Sequence, residues 1–320
     1  MFSAETPIHA GLQPSITLLG KARLREDVLH STHKGKYKKN RRGFKHLQKL
    51  QPALEHLLHE GEVIFYAARV QAPANILDQL TWGWYLYFVS GTVLVFTNQR
   101  LLHVRIDSSS KWLRIIQSCA WSDVATFKVA GWLSRTVTIT FKDGRSRKYW
   151  AVPARDAKLL AKLVPHLLEA HAGSVSAQGT MRSLCPECKS VLQESVYACA
   201  GCGLQFKNER LMIKLAFVPG GAYIYCGRWF LALVDILGES YGVILLLTAM
   251  VLVGDALLHP AQGAMSVALV TLVIAGMIFG LDVVITIHHC RRLVREFIPT
   301  KKRDRTEPAA NLTMSASSGA

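Results

Sequence analysis

At 320 residues the chain is long enough for two or more compact units. Half of it is hydrophobic and its mean hydropathy is +0.20, values that argue against a wholly soluble protein. A formal net charge of +16 leaves two broad classes: a membrane protein with basic flanks, or a nucleic-acid binder that carries an apolar domain.

Residues 1–59 read as a basic, weakly ordered region. Residues 1–30 contain Pro7, Pro14, Glu26 and Asp27 and no apolar run of signal-peptide length. Next come Lys34, Lys36, Lys38, Lys39, Arg41, Arg42, Lys45 and Lys49, with no acidic residue between them. Such a run is most often a solvated surface. Two functional readings compete with that one. Anionic lipid head groups would be attracted at ~1 kcal/mol per basic residue near the surface, and nucleic-acid phosphates would be bound by the same charge. Only Tyr37 and Phe44 interleave the run, too few for a base-stacking platform, so lipid is favoured.

Residues 60–170 have the pattern of a compact α+β domain. Glu62 to Val70 alternates as a strand. Trp84 to Phe96 is apolar but too short to cross a bilayer, and its Ser90-Gly91 pair predicts two buried strands with a turn between them. Thr97 to Arg100 is a polar turn, with Arg100 as its internal anchor, and Leu101 to Ile106 a further strand. Val137 to Phe141 and Ser146 to Val152 flank an Asp143-Gly144 hairpin turn. Pro153 opens a helix over Ala154 to Ala170, where Leu159, Leu160, Leu163, Val164, Leu167 and Leu168 recur at helical spacing. Lys111, Arg114, Arg145, Arg147 and Lys148 read as scattered, solvated loop charges.

GTVLVFTNQRLLHVRI, residues 91 to 106, resembles the strand–turn–strand signature of bacterial pleckstrin-homology-like domains. CAWSDVATFKVAGWLSRTVTITFKDGR, residues 119 to 145, is similar to the section that follows it in that family. The resemblance runs from near Glu60 to Ala170. It implies a seven-stranded bent sheet with a capping helix and names no ligand, because folds of this kind host lipid, peptide and protein binding alike.

Residues 171–184 are rich in Gly, Ser, Ala and Gln and read as a linker. The strongest motif lies beyond it. Cys185 and Cys188, then Cys199 and Cys202, form two Cys-x-x-Cys pairs, the spacing of a four-thiolate cage for Zn²⁺. An all-cysteine set points to a structural metal rather than a catalytic one with an open water position. Gly203 suits the tight turn of the second knuckle, and Tyr197 and Phe206 flank it. The paired CPEC and CAGCG knuckles resemble a zinc ribbon, assigned to 185–210. Cys119, Cys226 and Cys290 read as buried thiols or bystanders. Thiolate ligands need a reducing compartment.

Ser240 to Leu258 and Ala264 to Ile287 are each long enough to span ~30 Å of hydrocarbon as a helix. They define a transmembrane hairpin over 240–289. The connector 254–263 has no Lys or Arg, whereas 290–320 carries Arg291, Arg292, Arg295, Lys301, Lys302, Arg303 and Arg305. The positive-inside bias therefore predicts cytosolic N- and C-termini, and the reduced zinc thiolates agree. The resemblance to bacterial PH-like domains implies that the membrane is a bacterial inner membrane. Residues 211–239 are apolar but contain Pro219-Gly220-Gly221, Arg228 and Asp235, and read as a broken interfacial or re-entrant segment. The Pro-Gly-Gly turn and the YCGR that follows resemble the opening of small two-helix membrane modules. Asp282, Thr286 and His289 share one helix face, where Asp282 is expected to pair with a neighbouring helix or with Arg228.

No catalytic motif stands out, and the expectation is a non-enzyme. The fold class expected is a multi-domain α+β membrane protein: PH-like sheet with capping helix, zinc ribbon, two transmembrane helices and one broken segment. The function expected is a membrane-anchored, cytosol-facing scaffold for an unidentified protein partner. The competing readings are a membrane-tethered nucleic-acid-binding regulator and a small transporter or channel subunit.

Overall fold

The computed structural model describes residues 16–25, 30–33, 36–39, 41–74, 78–79, 83, 86–132, 135–173, 179–259 and 264–300. Lys34 and the tail residues Lys301, Lys302, Arg303 and Arg305 lie outside the described residues, as do the side chains of Lys36, Lys38, Lys39, Arg41 and Arg42.

Short strands β1 (Ile16–Leu19), β2 (Ala22–Arg25), β3 (His30–His33) and β4 (Lys36–Lys39) precede helix α1 (Arg41–Leu57). Strand β5 (Val63–Gln71) follows, then a helical turn α2 (Leu86–Val89). The next strands are β6 (Gly91–Thr97), β7 (Arg100–Ile106), β8 (Trp112–Ala120), β9 (Val124–Ala130), β10 (Arg135–Phe141) and β11 (Ser146–Val152). Helix α3 (Ala154–Ala170) closes the unit.

Seven strands, β5 to β11, thus run into one C-terminal helix. The sheet order is β8-β7-β6-β5-β11-β10-β9, and the two halves join where Trp150 pairs with Gln71. Strands β2 and β1 extend the sheet from β5, and a further strand β12 (Arg182–Leu184) extends it from β8. Every residue of β6 is buried. Successive side chains point to opposite faces, so both faces of this strand are covered, which explains its unbroken apolar run. Helix α3 contributes Ala157, Leu160, Leu163, Val164 and Leu167 to the core, the face its spacing predicts.

Arg100 anchors the β6–β7 turn inward. Its guanidinium donates to both carboxylate oxygens of Glu62, at 3.0 and 2.9 Å, and to the Leu57 carbonyl at 3.0 Å. Thr97 donates to the same carboxylate at 2.7 Å. Burial works against ionisation of Glu62, but Arg100 outweighs it and holds the carboxyl below its usual range.

Several expectations need correction. The 1–59 region is not uniformly weakly ordered: Leu47, Leu50, Ala53, Leu54 and Leu57 of α1 are buried against the sheet. Their helical spacing is masked in the sequence by the basic residues between them. Trp84 to Phe96 is not a strand pair, because Leu86–Val89 is helical and a single strand begins at Gly91. The last three residues of the 171–184 linker, Arg182–Leu184, pair with β8 as β12. Arg114 and Arg147 are not freely solvated, since they contact Glu187 and Gln117.

The apolar half also differs in its boundaries. Segment 211–239 resolves into α4 (Glu209–Leu215), a Pro-Gly turn, α5 (Gly221–Tyr225) and the first turns of α6. Helix α6 runs over Trp229–Leu258 and α7 over Ala264–Val294, so each is longer than its expected span. Both are long and apolar enough to cross a membrane. The chain breaks at Gly227, with a φ of +75°, and not at Asp235. That carboxylate stays helical because Thr286 donates to it from α7 at 2.9 Å and the Gly220 N–H donates to it at 3.2 Å.

Candidate metal centre

The two knuckles have the same local build. In the first, the Lys189 N–H donates to the Cys185 carbonyl at 3.0 Å. In the second, the Gly203 N–H donates to the Cys199 carbonyl at 2.8 Å. The residue after each pair takes a left-handed conformation, Lys189 at φ +62° and Gly203 at +72°. Glycine does this without strain, whereas lysine is held there by its surroundings. Glycine at 203 was the legible half of the pattern, and Lys189 gave no signal.

All four sulfurs lie within 4.8 Å of one another. Cys185 and Cys202 are 3.6 Å apart and Cys188 and Cys199 are 3.4 Å apart. A tetrahedral zinc with Zn–S bonds of about 2.3 Å sets its sulfurs about 3.8 Å apart, so this donor set fits that ion. Four soft thiolates close the coordination sphere and leave no position for a reacting water. The cluster can hold zinc as a structural metal.

Sequence reasoning missed the second layer. Ser190 places its hydroxyl 3.0 Å from Cys188 Sγ and 3.1 Å from Cys199 Sγ. Burial opposes ionisation of Cys199, but the Ser190 hydroxyl and the backbone N–H groups of Cys202 and Gly201 outweigh it and bring the thiol down to about 6. Burial pushes Cys185 and Cys202 upward. A bound cation would reverse that, because coordination deprotonates the thiol.

The centre is attached on two sides. Toward the sheet, Arg114 pairs with Glu187, and His56 Nε2 lies 2.9 Å from the Glu187 carbonyl. Toward the long helices, Phe206 packs edge-on to Phe297 at 5.6 Å between ring centres. Lys207 N–H donates to the Ile298 carbonyl at 2.9 Å, and Thr300 N–H to the Gln205 carbonyl at 3.0 Å. The segment that follows α7 thus returns to pair with the cysteine module. Tyr197, the other aromatic flanking the second knuckle, packs against the α4–α5–α7 cluster.

Sheet and helices also meet directly. Arg105 is 3% exposed and donates to Glu296 at 2.8 Å and to the Val89 carbonyl at 2.8 Å. Arg292 contacts Asp78 and the Pro73 carbonyl. The three remaining cysteines are buried. Cys119, pushed up to about 12 chiefly by burial, has the character of an inert core thiol. Cys226 and Cys290 lie together where α5 meets α7.

No family model matches this chain, and no curated protein or solved structure matches it.

Proposed function

We propose that this chain is a membrane-anchored interaction protein that presents a PH-like domain at a fixed attitude on the inner face of a bacterial membrane. The two long helices are the anchor. The zinc ribbon is a rigid coupling between anchor and sheet. The sheet domain is the part that meets a protein partner, with anionic lipid contacts from the basic run that begins at Lys34 and ends at Lys49.

The observation that carries this reading is the strapping of sheet to helix ends. Arg105–Glu296, Arg292–Asp78 and the Lys207–Ile298 backbone bond fasten three units that a flexible tether would leave independent. A domain that only needed retention at a membrane would not require a defined orientation. Seven strands followed by one amphipathic helix support the PH-like assignment. Orientation follows from the basic residues after α7 and the connector at 254–263 that lacks them.

Impermeant maleimide applied to intact cells after zinc chelation tests the topology. Cys185, Cys188, Cys199 and Cys202 should remain unlabelled until the cells are lysed, and labelling beforehand overturns the reading. Proximity labelling from the N-terminus should enrich one protein neighbour. Enrichment of nucleic acid would support the tethered-regulator alternative.

A further inference from the structure

Between α6 and α7 lies a second cluster of possible ligands. Asp235 and Glu239 stand one turn apart on α6, and Asp282 faces them from α7. Their carboxylate oxygens lie within 4.8 Å of one another. Asp282 therefore meets the neighbouring helix, one of the two partners expected for it, but what it meets there is two more carboxylates. Asp235 lies six residues into α6, ~9 Å along it. The three acids lie in the half of the helix pair nearest the cysteine module.

The protein prepares this cluster for positive charge without supplying it. The Gly220 N–H donates to Asp235 Oδ2 and to Glu239 Oε2, both at 3.2 Å, and Thr286 donates to Asp235 Oδ1. Gly220 takes a φ of +69°, and a Cβ there would lie 2.5 Å from Ile236 Cγ1 and 2.8 Å from the Ala232 carbonyl. Only glycine brings this N–H so close to α6. The Oε1 of Glu239 is different. Glu239 is 1% exposed, and this oxygen has no hydrogen-bond partner among the described residues. It points to a ligand that those residues do not provide. Beside it a cavity of 310 Å³ opens between the helices, lined by Glu239, Asp282, Gly242 and Phe279. Gly242 has no side chain to fill that space.

We propose that Asp235, Glu239 and Asp282 bind one hard divalent cation between the two long helices. Oxygen-only donors of full negative charge select the calcium, magnesium and manganese class over zinc, which the thiolates take. A divalent ion offsets two of the three charges, and water from the cavity completes the coordination. The ion would join α6, α7 and the Pro-Gly turn at one point, and so control the spacing of the helices whose ends carry the cysteine module.

Mn²⁺ is the probe, because its free form is read by electron paramagnetic resonance. The full chain in nanodiscs, with its thiolate site filled by zinc, should bind one Mn²⁺ per chain in competition with Ca²⁺. Glu239→Gln and Asp282→Asn should each weaken binding at least tenfold while one equivalent of zinc is retained. Glu239→Gln keeps the side-chain shape, and the retained zinc together with an unchanged thermal transition reports that it folds. Absence of Mn²⁺ binding at millimolar concentration, or unchanged affinity in both variants, overturns the proposal. A cluster that takes up only protons would give that first result.

Discussion

The sheet domain and the α6–α7 pair distribute their residues in opposite ways. In the sheet the largest buried side chains, apart from Arg25 of β2, are Trp121, Tyr66, Tyr149, Phe65, Phe96 and Phe141, and apolar bulk lies inside. Over residues 232–286 of the helix pair the buried residues, Val283 apart, are small or polar: Ala232, Asp235, Glu239, Ala249, Ala256, Ala268, Ala275 and Thr286. Ile244, Leu247, Val251, Val270, Ile278 and Leu281 point outward. The sheet thus has the pattern expected of a fold driven by water, and the pair has the pattern expected of helices in a solvent as apolar as leucine, where close backbone approach and polar contacts hold elements together. The cysteine module lies between these regions and depends on neither arrangement alone, since a metal bound by its four thiols would substitute for a core.

That difference can be broken most severely at the module. Cys199→Ser should abolish stoichiometric zinc, measured by elemental analysis. It should expose 185–206 to protease while the sheet keeps its thermal transition, because structural zinc supplies ~10–16 kcal/mol of apparent binding energy to such small units. Phe96→Ala, which removes a ring stacked on Trp121 at 6.1 Å, should cost the sheet about 3–5 kcal/mol by denaturant titration. The matched truncation Leu247→Ala, on an outward-facing position, should leave association of the helix pair unchanged by cross-linking in lipid. Equal losses at both sites would erase the contrast.

Much of the sheet region was legible because its signals are local. The Asp143-Gly144 turn, the Arg100 anchor and the helix Ala154–Ala170 each declare themselves within a short window. Helix α1 did not, because its apolar stripe is interleaved with Lys45, His46 and Lys49, and only the strands it covers reveal which face matters. The four cysteines were legible from spacing, but Ser190 and Phe297 were not. One is an ordinary serine until the knuckles fold around it, and the other lies far along the chain.

Smaller effects sharpen the comparison. Ala249→Leu should overpack the α6–α7 contact by about 1–3 kcal/mol, measured as loss of helix-pair association, whereas the same bulk added at an outward position should be silent. The smallest effect is a pH dependence of the sheet. Burial, reinforced by Arg105 and Arg147, holds buried His103 well below its usual value. A depressed folded-state pKa gives stability that is complete above the unfolded value of about 6.5 and is lost as pH falls, because the unfolded chain takes up the proton first. The sheet should therefore weaken by about 1 kcal/mol per pH unit below that point, and His103→Gln should flatten the slope in thermal melts. Glu62, also depressed, acts in a separate window below its ordinary value of 4.5.

The sequence by itself determined the spacing of the cysteine cage, the hairpin turns at 97–100 and 143–144, the amphipathic α3 and the presence of two long apolar helices, because each is a matter of residue type at short spacing. Tertiary structure alone decided which polar groups meet. Glu239 and Asp282 are 43 positions apart in the chain, and Arg105 reaches Glu296 across 191. Contacts at that separation leave no periodic trace. They exist because burial brings the elements together, and a charge taken out of water needs a partner from wherever the fold can supply one.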